Sequence, residues 1–157
     1  MGRVRIIAVG SRMPQWVRDP FEDYIGRLGS ALKVSLTEID PGARTAGRSP
    51  AKAIETESER ILAAVRPSEF VAALDERGTE MSTRELASWL ATRLRDGSDL
   101  AFLIGGPDGL GPQVLQRANF KWSLSRLTFP HALVRVLLAE QLYRAHSVLA
   151  NHPYHRD

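Results

Sequence analysis

The sequence predicts an α/β fold, a parallel sheet flanked by helices, in a single domain over residues 1–157. Three observations carry this. Short apolar runs recur along the chain, among them VRIIAV, FVAAL and LAFLI. Segments with apolar residues at helical spacing separate them. The runs are continuous rather than alternating, which is the mark of strands buried on both faces, as in a parallel sheet. A chain of 157 residues with 43% hydrophobic and 25% charged residues is ordinary for a globular domain. No internal repeat, low-complexity tract or linker interrupts it.

Val4 to Val9 reads as the first strand, ended by Gly10. Trp16, Val17, Phe21, Tyr24, Ile25 and Leu28 give the apolar face of a helix over 14–28, in which Pro20 argues for a bend or a late start. Val34 to Ile39 alternates loosely and predicts a second strand. Asp40 to Ser49 is a polar, glycine-rich loop without periodicity. Ser49-Pro50 then supplies a cap and a first-turn proline to a helix carrying Ile54, Ile61, Leu62 and Val65. Its Glu55, Glu57 and Glu59 are expected toward the positive end of the helix dipole. Phe70 to Leu74 is a third strand, closed by Asp75. Ser82-Thr83-Arg84-Glu85 is a capping box opening the next helix, which Asp96-Gly97 stops. Leu100 to Ile104 is a fourth strand, Gly105 to Gly111 a tight glycine-rich loop, and Pro112 to Ala118 a short helix. Leu124 to Phe129 alternates polar and apolar residues and predicts a fifth strand. Pro130 opens a long helix from His131 to about Val148.

Composition excludes several chemistries. With no cysteine there is no disulfide, thiolate zinc site, iron–sulfur cluster or cysteine nucleophile. The first residues lack the apolar run of a signal peptide, and no stretch approaches the ~20 apolar residues of a membrane span, so the cytoplasm is the expected compartment. The net charge of +3 is a small excess, but 18 of the 21 cations are arginine. Arginine's planar fork matches phosphate bidentately, and a polyanionic partner fits that composition.

Ligands of open parallel sheets lie outside the carboxyl ends of the strands. Three segments meet that rule: Leu74-Asp75, the Gly105–Gly111 loop, and Ser123 to Phe129. The loop matches neither the dinucleotide nor the P-loop fingerprint. A second cluster crowds the chain's end: His152, Tyr154, His155 and Arg156. Two imidazoles, a phenol and a guanidinium suit anion or base binding if something holds them in place. His152 and His155, with only the terminal Asp157 as an acidic neighbour, make a poor metal site, and no metal is expected. His131 and His146 read as structural. Glu140 and Arg144 stand at i,i+4 spacing and predict an ion pair, and a partly buried Arg144 also needs a partner or a ligand.

Taken together, the run Leu103 to Leu110, Ser123-Leu124-Ser125 through Leu127-Thr128-Phe129-Pro130-His131, Leu133 to Val136, Glu140 to Ala145, and Asn151 to Arg156 resemble the RlmH family. The resemblance extends to Ala8-Val9-Gly10 and Met13-Pro14-x-Trp16-Val17, and so covers essentially the whole chain. That family comprises SPOUT-class methyltransferases acting on N3 of a pseudouridine in 23S ribosomal RNA of the assembled ribosome. The resemblance implies a SPOUT-type α/β fold with a C-terminal trefoil knot, a homodimer, and S-adenosyl-L-methionine bound by the knot loops. It implies cofactor positions at Leu74, Gly105, Leu124, Ser125, Arg126, Leu127, Thr128 and Phe129. It also implies a catalytic group from the tail, with His155 removing the N3 proton or orienting the base, Tyr154 stacking on it or hydrogen-bonding it, and Arg144 and Arg156 stabilising an anion or holding a phosphate. Arg3, Arg5, Arg12 and Arg18 are candidate phosphate contacts. A SPOUT enzyme acting on another RNA, and a non-catalytic ribosome-associated RNA-binding module, are the alternatives the motifs leave open.

Overall fold

The computed structural model describes residues 3–156. The chain runs β1 (Arg3–Val9), α1 (Gln15–Leu28), β2 (Lys33–Ile39), α2 (Ala51–Ala64), β3 (Phe70–Glu80), α3 (Thr83–Arg95), β4 (Leu100–Ile104), α4 (Pro112–Arg117), β5 (Phe120–Ser123), α5 (His131–Leu149) and a 3-10 turn at Pro153–His155. The strands form one sheet in the order β2-β1-β4-β3-β5, every neighbouring pair parallel.

Period-2 alternation divides the central strands between two cores. Val4, Ile6, Ala8, Leu100, Phe102 and Ile104 face α1, α3 and α5, meeting Phe21, Leu28, Leu86, Leu90, Leu138 and Leu142. Ile7, Val9, Ala101, Leu103 and Val71 face α2 and α4, meeting Ile61 and Val114. Complete burial of such side chains contributes about 1.5–3 kcal/mol each. The capping box at α3 forms as the sequence predicts, with Glu85 N–H donating to Ser82 Oγ and Ser82 N–H to Glu85 Oε1.

Four expectations need correction. The fifth strand is Phe120–Ser123, not 124–129. Phe120 and Trp122 point into an aromatic cluster, with ring centroids 5.4 Å from Trp89 and 5.9 Å from Phe102 respectively, while Lys121 faces out. β3 does not stop at Leu74 but runs on to Glu80. α1 starts at Gln15 and holds Pro20 within it. The hydrogen bond that Pro20 forfeits would have ended on the carbonyl of Trp16, an exposed first-turn residue where water can take its place. Finally, α2 begins one residue late, with Pro50 in the cap position and Ser49 Oγ accepting from Ala51 N–H.

α5 is tied to the sheet by an unexpected group. Arg135 is 1% exposed. Its Nη1 donates to Glu38 at the end of β2, at 2.7 Å, and its Nη2 to the carbonyl of Gly10, at 3.0 Å. Arg5 is likewise consumed within the fold, with two bonds to the Glu69 carboxylate (2.8 and 2.7 Å) and one to Ala64 O. It is therefore not available as a phosphate contact, whereas Arg3, Arg12 and Arg18 are exposed.

Candidate active site

A cavity of about 800 Å³ opens at the carboxyl ends of β3, β4 and β5, where the fold class places its ligands. Three walls enclose it, each with a local cause.

The first wall is Leu74 to Arg77. Trp122 on β5 pairs with both Leu74 and Thr79 of β3, so the residues between them have no partner in the ladder and bulge outward. That bulge carries Asp75, Glu76 and Arg77 to the cavity. The second wall is the loop from Gly105 to Leu110. It doubles back through a bridge between Gly106 and Gly109. A Cβ on Gly105 would come within 2.6 Å of the Gly109 carbonyl carbon, so only glycine permits this path. The third wall is the segment after β5. Ser123 Oγ donates to Ser125 O (2.9 Å), and Leu127 N–H donates to Ser125 Oγ (3.0 Å). Thr128 Oγ1 donates to Glu76 at 3.0 Å and joins this wall to the first.

The lining mixes apolar surface, from Leu74, Leu110, Leu124 and Val134 among others, with Asp75, Glu76 and Asp108 against Arg77. His131, the first residue of α5, lies at its edge. Burial pushes its imidazole below the usual histidine range, and the Arg135 and Arg44 guanidiniums push further, with Glu57 partly opposing them. A neutral ring at pH 7 leaves the lining with an excess of negative charge.

Of the expected cofactor positions, Leu74, Gly105, Leu124, Ser125, Leu127, Thr128 and Phe129 all line this cavity. Arg126 does not. Its side chain is 88% exposed, with Nε 3.9 Å from Glu80. The segment that suggested a strand over 124–129 is instead a loop, and polar and apolar residues alike line the cavity from it.

The tail residues form a separate cluster on α5. Tyr154 donates its hydroxyl to Glu140 at 2.9 Å, and its ring packs edge-on against Tyr143 with centroids 4.6 Å apart. Arg144 makes the expected pair with Glu140, lies over the Tyr154 ring, and donates to the His155 carbonyl at 3.3 Å. Burial, then hydrogen bonding to Tyr24 and Glu140, pushes the Tyr154 phenol well up, so it stays protonated. Arg156 follows in a left-handed conformation, φ 46°. None of Arg144, Tyr154, His155 and Arg156 lines the cavity of the same chain. Asp157, weighed as a metal ligand from the sequence, lies outside the described residues, among which no group of three or more histidines and carboxylates is placed to hold a metal ion.

Sequence reasoning placed Leu74-Asp75 at the site but missed the bulge that adds Glu76 and Arg77, and it missed His131 in the lining. The polar run directly after a buried strand was the available signal for the first. For His131 it was the proline before it, which fixes the helix start beside the third wall.

A family model described as "Predicted SPOUT methyltransferase" matches residues 2–155. The chain belongs to the SPOUT methyltransferase family. It is 50% identical over 155 residues to the ribosomal RNA large subunit methyltransferase H of Thiobacillus denitrificans, covering 99% of both chains. It is 53% identical over 154 residues to the protein of the same name from Alkalilimnicola ehrlichii, covering 98% of this chain and 99% of that one. Among solved structures, a methyltransferase of Bordetella pertussis superposes with a TM-score of 0.57 at 17% identity, covering 92% of this chain and 96% of the other. A methylase family protein of Neisseria gonorrhoeae gives 0.54 at 14% identity, covering 90% and 82%. Both show the shared fold.

A SPOUT methyltransferase draws its methyl group from S-adenosylmethionine, and the cavity residues suit that molecule. Leu74, Leu124 and Leu127 offer apolar surface for an adenine ring. The Gly105 turn brings bare backbone to the cavity. The acidic excess complements a ligand whose sulfonium and ammonium outweigh its single carboxylate.

Proposed function

We propose that this SPOUT methyltransferase methylates N3 of a pseudouridine in 23S ribosomal RNA of the assembled ribosome, as a cytoplasmic homodimer with one domain per chain and a C-terminal trefoil knot. The observation that carries the RNA target is identity of about half over nearly the whole chain with proteins named for the large-subunit RNA. No helix among the described residues is long and apolar enough to cross a membrane, which suits an aqueous substrate.

In this reading one chain provides the donor cavity and its partner's tail provides the acceptor machinery. Two features support it. The Arg144, Tyr154, His155 and Arg156 cluster is ordered yet stands apart from its own cavity. α5 is apolar on nearly every side, and Leu133, Val136 and Leu137 stay partly exposed for a second copy to cover.

The cofactor supplies an electrophilic methyl on a sulfonium, with no metal needed. The chain's residues supply the rest. His155 accepts the proton that N3 must lose, an imidazole nitrogen acting as general base. Tyr154, protonated, half-buried and held by Glu140, sets the position of His155 and stacks on the base or hydrogen-bonds it. Arg156 holds negative charge that develops on the base or an adjacent phosphate, and Arg144, bonded to Glu140 and to the His155 carbonyl, keeps the tail in place for it. The cavity walls keep water from the reacting atoms.

Mass spectrometry of modified nucleosides in ribosomal RNA from a deletion strain tests the target; retention of N3-methylpseudouridine would overturn it. Mixing a Gly105→Val chain with a His155→Ala chain tests the shared site. A mixed dimer then holds one intact cavity facing one intact tail, and partial activity returns. A tail acting within its own chain leaves the mixture inactive.

A further inference from the structure

The segment between β2 and α2 has no apolar periodicity, but it is held firmly to the donor cavity. α2 buries Glu57, which is 2% exposed. Its Oε2 accepts from Gly42 N–H at 2.9 Å and from Arg44 Nη1 at 2.7 Å, while Oε1 accepts from Arg44 Nη2 at 3.3 Å. The remaining corner of the same guanidinium, Nε, donates to Asp108 Oδ2 at 2.9 Å. Asp108 belongs to the second wall of the cavity. Glu57 also stands directly behind that wall: a Cβ on Gly106 would come within 3.3 Å of its Oε1.

One cation therefore links two carboxylates, one fixed in the core and one on the ligand loop. Without Arg44 the two anions would face each other across a short gap, and the loop would lose its tie to α2. The planar fork matters, because a lysine ammonium is a point charge and cannot satisfy both carboxylates in this geometry. A loop held in its bound shape binds with less ordering cost than one that must be fixed on contact.

We propose that Arg44 is a positioning residue for the donor cavity: anchored on the buried Glu57 carboxylate, it fixes Asp108 and with it the Gly105–Leu110 wall in the shape that accepts S-adenosylmethionine. This rests on the reading of the cavity as the cofactor site.

The test is a double-mutant cycle with Arg44→Met, Asp108→Ala and the pair, together with Arg44→Lys. Calorimetry gives Kd for S-adenosylmethionine and for S-adenosylhomocysteine, and thermal unfolding of the ligand-free proteins gives Tm. Each single variant weakens both ligands about tenfold, the size expected for one charge-assisted hydrogen bond. The double variant is no weaker than the singles, and Arg44→Lys recovers only part of the loss. Independent losses that multiply in the double variant overturn the proposal. So does a lowered Tm with unchanged Kd, which marks Arg44 as structural alone. So does a loss confined to the sulfonium ligand, which marks a charge effect of Asp108 rather than loop position. If Arg44→Met fails to fold, Asp108→Ala, which leaves the Arg44–Glu57 pair in place, decides alone, and an unchanged Kd overturns the proposal. Absence of binding to the unaltered protein overturns the cofactor reading and this inference with it; binding there that the variants do not disturb overturns the inference only.

Discussion

The donor cavity and the C-terminal tail are built on different terms. The cavity takes its walls from one chain: three strand ends converge, and hydrogen bonds such as Thr128 to Glu76 join them. The tail is also hydrogen-bonded, but its bonds go to α5 of its own chain, through Glu140 and Arg144, and not to the cavity. In the proposed reading, the fold builds the donor cavity from one chain and leaves the tail's groups to serve a partner's cavity. The contrast predicts that damage to the two regions separates into loss of binding and loss of chemistry.

The largest effect is expected at Gly105. In Gly105→Val the side chain collides with the Gly109 backbone, the loop must move, and calorimetry finds no cofactor binding at any workable concentration. Binding within severalfold of the unaltered protein would erase the distinction between the regions. His155→Ala comes next: methylation falls about 10²–10⁴-fold, the usual range for loss of a general base, while Kd for the cofactor stays the same. A matching rise in Kd would place the tail in the donor site instead. Tyr154→Phe removes one partly buried bond to a carboxylate, at a cost of about 1 kcal/mol, which lowers Tm by about 2–4 °C in a chain of this size; unchanged Tm would mean that the tail is not anchored there. The smallest effect belongs to His131. Its folded pKa lies below the ordinary 6.5, so on acidification the unfolded chain takes up a proton that the folded chain resists. Stability from this group is intact above pH 6.5 and declines as pH falls below it. His131→Asn should show a shallower fall in Tm between pH 7.5 and 5.5, and an identical slope would contradict the burial of the ring.

The sheet was readable because β1 and β4 are buried on both faces and so carry apolar runs, broken only by Arg5. β5 was not, because four residues at an edge leave only Phe120 and Trp122 as a pattern, weaker than the accidental alternation over 124–129. The cavity segments followed from strand ends and glycine spacing. The side-chain links did not. Arg135 meets Glu38 across 97 positions and Arg5 meets Glu69 across 64, and nothing local marks such pairs. Glu57 is instructive: it reads as a helix-dipole residue, yet no acid lies in the first turn of α2, and the side chain turns inward to Gly42 and Arg44. The Asp40–Ser49 loop shows no periodicity in the sequence, and its restraint comes from a residue beyond it, Glu57.

With the tail meeting the acceptor as proposed, the bonds among Tyr154, Glu140 and Arg144 also bear on the speed of that encounter. A frayed terminus would have to be frozen each time it docked, surrendering about 1–2 kcal/mol of backbone freedom for every residue it ordered. Here that entropy is already lost during folding, so a collision in the right orientation finds the terminus already set for capture.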